Sequence, residues 1–302
     1  MSTMPVIERL TNGNIPADMP RIDGVRHQFV SARGIRFHVA EAGDPTATPV
    51  VMVHGWPSHW YCWRDAFGPL ADAGLRPIAI DLRGFGWSDK TEKGYRKDEL
   101  TEDVLAVLDA MGVEKFHVIG HDWGGFVAFL LGLNHSDRVE KLILTNTGHG
   151  YAPQDFKTIR ALGGFYYMPL IGNPLFGRRL ATSKRVRSAI KKTFIDDGSW
   201  TPEEAEIFMN KIDPHVTQQV YGTFVYGGEF FGSLREEKRR FPTPTLFLYG
   251  DADLAIKPAM VRGMEDWADD YRLEVMPGLG HFCFEQAPEV VVPKFVEYLS
   301  AS

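Results

Sequence analysis

The sequence predicts an α/β fold, with a mostly parallel central sheet flanked by helices and a helical insertion. Short apolar runs alternate with stretches of helical length, a pattern typical of successive βαβ units. The alternation stops at about residue 148 and resumes at about residue 240. Since a segment this long is not one structureless loop in a compact domain, we predict a helical cap (148–240). It divides the core into a first part (1–147) and a second part (241–302).

The first part of the core begins with a polar, proline-containing stretch of twenty residues that predicts a loose arm. An antiparallel strand pair should follow, turning at Arg33 and Gly34. The runs that predict buried strands are PVVMVHG, RPIAIDL, FHVIG and VEKLILTN. The stretches that predict helices are WRDAFGPLADAG, TEDVLAVLDAMG and GGFVAFLLGLNH, with Thr101 as the expected N-cap of the second.

The second part of the core repeats the pattern after the insertion. TPTLFLYG and YRLEVMPG predict strands, and helices are expected at about 258–268 and 288–300. Open parallel sheets bind ligands at the carboxyl ends of their strands. We therefore expect the cap to cover those strand ends and the functional site to lie between the two.

Composition narrows the class of protein. The 302 residues carry a net charge of −6 and only two cysteines, which argues against a nucleic-acid partner and a disulfide framework. No run is apolar over the length of a membrane span or a secretory signal, so we expect a cytoplasmic protein without a membrane partner. The basic segment 178–192 predicts a solvated helix face. The oligomeric state stays open, a homodimer included.

The segment GHDWGG (120–125) has the outline of a nucleophile elbow, G-x-S-x-G, with Asp122 in place of serine. It follows a predicted strand and opens a predicted helix, as an elbow requires. The small residues at 120, 124 and 125 allow a sharp turn that lifts the central side chain above the sheet. Asp122 is therefore the predicted nucleophile.

Three further strand ends supply residues that fit this elbow. HGWP (54–57) and the residue after the nucleophile would provide two main-chain N–H donors to an oxyanion, those of Trp56 and Trp123. His54 and Pro57 are expected to support that loop. His281, in GLGHF, is the predicted base.

An acidic residue should orient this histidine. Asp253, in YGDADLAIKP, is the expected partner, and Asp251 is the alternative.

These motifs resemble the α/β-hydrolase fold family, and within it the epoxide hydrolase branch. The resemblance rests on HGWPSHWYCWRDAF, DLRGFGWSDK, GHDWGG and GHF, which span the core. In the cap, FYYMPLIGNP is similar to the family segment that carries a ring-opening tyrosine seven residues before a proline, which implies Tyr167. The second family tyrosine is matched by Tyr221, with Tyr226 as the alternative. The resemblance implies no metal and no cofactor.

The choice of aspartate has a chemical reason. A serine alkoxide attacking a saturated carbon would form a stable ether, whereas a carboxylate forms an ester that activated water cleaves. Asp122 thus predicts an electrophilic sp³ carbon, as in an epoxide or an alkyl halide. A pocket lined by Trp56, Trp123, Tyr166 and Phe282 would suit a small apolar or aryl epoxide, with water as the second substrate.

Alternative functions use the same residues. A haloalkane dehalogenase shares the Asp-His-Asp triad and HDWG, but it needs two side-chain N–H donors to the halide, and Trp56 stands where asparagine often follows HG. An acid after LILTN is also absent, since Asn146 stands there. A haloacetate dehalogenase would have arginine at position 123. A non-catalytic receptor of the same fold would not require the triad and both tyrosines.

Overall fold

The computed structural model describes residues 6–11, 13–227, 229 and 238–301. Residues 1–5 and 12 of the predicted arm, and 228 and 230–237 of the predicted cap, lie outside the described residues. The described part confirms the α/β class with a mixed sheet of nine strands. No helix within these ranges combines the length and the apolar character needed to cross a membrane.

The strands run in chain order as β1 Ile7–Arg9, β2 Arg26–Ala32, β3 Ile35–Glu41, β4 Thr48–Val53, β5 Leu75–Ile80, β6 Phe116–His121, β7 Val139–Thr145, β8 Thr245–Gly250 and β9 Tyr271–Met276. Their order in the sheet is β1-β2-β3-β5-β4-β6-β7-β8-β9. β1 pairs antiparallel with β2, β2 with β3, and β3 with β5. The remaining pairs, from β5 across the sheet to β9, are parallel. The carboxyl ends of β4, β6, β7 and β8 therefore meet at one edge.

The helices of the core are α1 Arg64–Asp72, α2 Lys97–Ala110 and α3 Asp122–Asn134, followed after the insertion by α10 Cys283–Gln286 and α11 Pro288–Ser300. The insertion contains α4 Phe156–Leu162, α5 Tyr167–Gly172, α6 Gly177–Ala181, α7 Lys184–Asp196, α8 Pro202–Lys211 and α9 Pro214–Val225. They lie between β7 and β8, as expected of the cap. The boundaries 148 and 240 stay a prediction.

The core lies on both faces of the sheet. One apolar cluster joins the sheet to α2 and α3, through residues such as Val104 and Val127. The other joins it to α1 and α11, through Phe67 and Phe295. Burial on both faces explains why the central strands are continuous apolar runs such as VVMV.

Three local predictions were wrong. The arm contributes a strand, because β1 pairs antiparallel with β2. Thr101 does not cap α2, which begins at Lys97; the Thr101 hydroxyl donates to the Lys97 carbonyl at 2.8 Å. The helix expected at 258–268 is only the short 3₁₀ turn Pro258–Met260, since Gly263 has a φ of +96°, which an α-helix cannot contain.

Candidate active site

Asp122 stands at the sharp turn between β6 and α3. Its φ of +50° is a strained conformation for a residue with a side chain, and such strain is typical of a nucleophile elbow. The turn needs glycine beside it. A Cβ on Gly124 would come within 2.2 Å of the Val53 carbonyl oxygen, and one on Gly120 within 2.5 Å of the Ala128 side chain. The first residue of α3 is therefore a carboxylate at a helix N-terminus, where negative charge is favoured.

The two carboxylate oxygens of Asp122 have different partners. The main-chain N–H of Trp56 donates to Oδ1 at 2.9 Å, and Oδ2 lies 3.5 Å from Nε2 of His281. Gly55 is required next to this contact, because a Cβ there would lie 2.3 Å from Oδ1. The structure thus brings together the predicted nucleophile, base and one oxyanion donor.

His281 is oriented by Asp253 and not by Asp251. Nδ1 of His281 lies 2.8 Å from Oδ2 of Asp253, which is buried. The other oxygen of Asp253 accepts the N–H groups of Ala255 and Ile256, at 2.7 and 3.0 Å. Asp251 instead accepts the N–H of Gly278 at 2.7 Å.

Charge governs protonation in this triad. Burial lowers the pKa of His281, but the Asp253 and Asp122 charges outweigh it and raise this pKa to about 10. Burial raises the pKa of Asp253, and the contacts with His281 and Asn146 more than offset that rise and bring it below its usual value. In the resting site, an imidazolium therefore lies between two carboxylates.

The two tyrosines predicted from the insertion lie on the wall of the cavity that Asp122 also lines. Tyr167, at the start of α5, and Tyr221, in α9, have ring centroids 5.9 Å apart in an edge-to-face arrangement. Burial, and then the Asp122 charge, raise the pKa of Tyr167 to about 12. Burial, and then the Tyr167 and Asp122 side chains, raise the pKa of Tyr221 well above its usual value. Both phenols are therefore protonated at neutral pH.

Tyr226, the alternative to Tyr221, lies outside the site. Its side chain is 54% exposed and its hydroxyl donates to the Pro169 carbonyl at 2.7 Å. Tyr221 is 2% exposed and lies on the cavity wall.

Asp122 and both tyrosines line one cavity of about 170 Å³. Its wall is mostly apolar and includes Trp56, Trp123, Phe126, Phe165, Met168, Phe224, Ile256 and Met260, with Asp122, Tyr167, Tyr221 and His281 as polar groups. Large apolar surfaces with a few convergent polar groups are typical of small-molecule sites.

Two of the predicted substrate-binding residues were wrong. Tyr166 is 75% exposed, because neighbouring helical residues point about 100° apart and Tyr167 takes the inward direction. Phe282 has no exposed surface. It packs against His121, Trp200 and Phe194 beneath the site and does not line the cavity.

Two predicted supporting residues hold the loop after β4. His54 is buried, with Nδ1 2.9 Å from the Gly55 carbonyl, and its Nε2 accepts the N–H of Leu82 at 3.1 Å. Pro57 follows Trp56 through a cis peptide bond.

Sequence reasoning missed residues that support the triad. Asn146, noted in the sequence only for not being an acid, donates from Nδ2 to Asp253 at 2.8 Å and accepts the N–H of Gly250 at 3.0 Å. Its position directly after β7, the strand next to β8, could have predicted that it lies close to Asp253. Thr147 donates to the Asp122 carbonyl at 2.6 Å, and His121 Nε2 lies 3.0 Å from the His281 carbonyl.

No group of three or more His, Cys, Asp or Glu side chains among the described residues has the arrangement of a metal site.

Comparisons with known proteins agree with this fold. The model of a family described as alpha/beta hydrolase fold matches residues 48–166. Epoxide hydrolase 3 of Xenopus tropicalis is 30% identical over 281 residues, which cover 88% of this chain and 76% of that protein. The AB hydrolase superfamily protein YfhM of Bacillus subtilis is 44% identical over 143 residues; the match covers 47% of this chain and spans about half of that relative (49%). Among solved structures, epoxide hydrolase CorEH without ligand has a TM-score of 0.79 at 26% identity, covering 91% of this chain and 99% of that one.

Proposed function

Because the chain belongs to the epoxide hydrolase family of α/β-hydrolase-fold proteins, we propose that it opens epoxides to vicinal diols through an ester on Asp122. One observation carries the proposal. A carboxylate at a nucleophile elbow faces two protonated phenols across a mainly apolar cavity, with a histidine-aspartate pair beside it.

The first step forms the ester. An Asp122 oxygen attacks one epoxide carbon, the carbon–oxygen bond of the ring breaks, and the ring oxygen takes a proton from a tyrosine. Tyr167 is the proton donor in this proposal, and burial together with the Asp122 charge keeps its phenol protonated at neutral pH. Tyr221 supports it with a hydrogen bond, and acid assistance of this kind contributes about 10²–10⁴-fold in rate.

The ester changes the role of His281. Esterification removes the Asp122 charge, which is one of the charges that keep His281 protonated. The pKa of His281 therefore falls, and its proton returns to the tyrosinate left by the first step. His281 becomes neutral and is ready to act as a base.

The second step hydrolyses the ester. Neutral His281 takes a proton from water as the hydroxide adds to the ester carbonyl, and the N–H groups of Trp56 and Trp123 hold the oxyanion. The tetrahedral intermediate expels the diol alkoxide, which takes the proton of the new carboxylic acid. Asp122 is again a carboxylate and His281 an imidazolium, so atoms and charge balance over the cycle.

The alternatives have less support. A dehalogenase needs indole N–H groups for its halide, but Nε1 of Trp56 donates to the Thr217 hydroxyl at 3.1 Å. A non-catalytic receptor would not require the contacts of His281 with Asp122 and with Asp253. The size and the mostly apolar wall of the cavity suit a small apolar or aryl epoxide.

Intact-protein mass spectrometry on His281→Gln, incubated with a panel of epoxides and alkyl halides, tests the proposal. Without the base the ester should accumulate, with a mass gain equal to the whole epoxide. The matched variant His281→Gln/Asp122→Asn should show no gain. A gain equal to an alkyl group without its halogen would favour the dehalogenase, and no gain from any compound would contradict the proposed chemistry.

A further inference from the structure

A buried lysine lies behind the residue that follows the nucleophile. Lys97, the first residue of α2, is 2% exposed. Its Nζ lies 3.5 Å from the ring centroid of Trp123 and 4.5 Å from that of Phe224. Both aromatic rings belong to the cavity wall, so the ammonium group contacts the site from outside the space that substrate would occupy.

Glu229 holds this ammonium group from the other side. Its Oε2 lies 3.0 Å from Nζ, and its Oε1 accepts the main-chain N–H of Lys97. The carboxylate is also buried. The lysine is therefore fixed by one ion pair and by two ring faces, and its position relative to Trp123 is well defined.

Stability alone does not explain a lysine here. Burial removes the hydration of the ammonium group, and its place in the first turn of a helix opposes the helix dipole. An apolar side chain of similar volume, such as methionine, would fill the space without either cost. What the lysine adds is a positive charge against the Trp123 ring.

We propose that Lys97 is a positioning residue of the active site, whose ammonium group fixes the Trp123 indole beside the nucleophile. This inference rests on the proposed function. It deepens that function by assigning a role to an ion pair that none of the catalytic steps uses directly.

The Trp123 ring transmits the effect to the tyrosines. It contacts the ring of Tyr221 edge-to-face, with centroids 5.8 Å apart, and Tyr221 contacts Tyr167 in the same way. A Trp123 ring that loses its cationic contact has more freedom to tilt, and the Tyr221 hydroxyl moves with it. Ring opening, which needs that hydroxyl, should slow more than ester hydrolysis.

The experiment measures the rate of ester formation in a single turnover. The parent protein is the His281→Gln variant, and the other substitutions are added to it. The substrate is styrene oxide or another epoxide of the panel that labels this parent. Lys97→Met/Glu229→Gln removes the charge without leaving an unpaired carboxylate. The matched control is Arg83→Met/Asp103→Asn. It removes the ion pairs that Asp103 of α2 forms with Arg83 at 2.7 Å and with Arg33 at 3.0 Å, and none of these residues is part of the described cavity wall. We expect ester formation to slow about 10-fold in the first variant and to stay within about twofold of the parent in the control.

An equal rate in the parent and the Lys97 variant, or an equal loss in the control, overturns the inference. If the parent forms no ester at all, the proposed function fails first, and the two failures are thus distinguishable. Thermal unfolding of each variant is recorded alongside. A Lys97 variant that is as stable as the parent but slower supports positioning.

A pH profile supplies a readout that a purely structural role would not move. Burial lowers the pKa of Lys97 to about 8, against the opposing effect of Glu229. The charged groups with the largest effect on this pKa are Glu229 and Asp122, which raise it, and Arg96, which lowers it. The rate of ester formation in the parent should therefore fall between about pH 7 and about pH 9, as Lys97 loses its charge.

Lys97→Arg, which keeps its charge over this range, should lose this alkaline limb. A parent profile that is flat, or a limb that persists in Lys97→Arg, overturns the inference even if the methionine variant fails to fold.

Discussion

The two sides of the cavity are held in place in different ways. On the sheet side, hydrogen bonds to the main chain fix the triad: Asp122 through Trp56, and Asp253 through Ala255 and Ile256. On the insertion side, the rings of Tyr167 and Tyr221 contact each other, and the Tyr221 ring also contacts those of Trp56 and Trp123. Hydrogen bonds have a narrow geometry and ring contacts a broad one. In the proposed mechanism, the sheet side forms and cleaves the ester, and the insertion side activates the epoxide.

The largest effect is expected on the insertion side. Tyr167→Phe/Tyr221→Phe should slow ring opening about 10²–10⁴-fold, because no positioned acid remains for the ring oxygen. Ester hydrolysis does not need these hydroxyls, so the fraction of enzyme present as ester during turnover should fall. Rapid quench followed by mass spectrometry measures that fraction.

Tyr226→Phe is the matched control, since Tyr226 is a tyrosine of the same helical segment that lies outside the cavity. A rate loss as large in the control as in the double variant would contradict the assignment of Tyr167 and Tyr221.

A smaller and opposite effect is expected on the sheet side. Asn146→Ala removes a hydrogen bond to Asp253, so His281 is oriented less well when it activates water. Loss of one buried hydrogen bond of this kind corresponds to about a 10-fold slower step. The ester should therefore accumulate during turnover, in contrast to the tyrosine variant.

Rapid quench followed by mass spectrometry also measures the fraction of Asn146→Ala enzyme that is present as ester. Asn146→Asp keeps a side chain of the same shape but replaces the amide donor by a carboxyl group facing Asp253, and it should not restore the rate. An ester fraction that falls in Asn146→Ala would show that the two sides do not divide the reaction as inferred.

The smallest effect is expected at the tyrosine that the structure places outside the cavity. Tyr166→Phe should change kcat and KM by less than about twofold, as is usual for an exposed position away from a site. Tyr167→Phe, one residue further on, is its comparison. Steady-state diol formation measures both, and a large loss in Tyr166→Phe would mean that the insertion docks differently in the working enzyme.

Strand-end motifs made the sheet side predictable. Each of three site residues lies shortly after the end of a strand. Asp122 follows β6 directly, Asp253 lies in the turn after β8, and His281 lies in the loop after β9. The carboxyl ends of neighbouring parallel strands meet at one edge, so strand order alone brings together residues that are far apart in the chain. The positions of Asn146 and Asp253 obey the same rule, since β7 and β8 are neighbours.

The insertion side was predictable only in part. Its helical character followed from the missing strand runs, and Tyr167 and Tyr221 followed from a resemblance. The orientation of each helix did not, because several faces of a short amphipathic helix can bury apolar side chains. This is why Tyr166 was wrongly expected in the cavity.

The sequence by itself determined the fold class, the elbow with its aspartate, and the chain order of the strand-end residues Asp122, Asp253 and His281, since these depend on local pattern and on strand order. Only the tertiary structure decided which tyrosine faces Asp122, that Phe282 packs beneath the site, and that Lys97 and Glu229 meet behind Trp123. Such contacts join segments distant in the chain, and their geometry depends on how whole elements pack. No local pattern of residues encodes that packing.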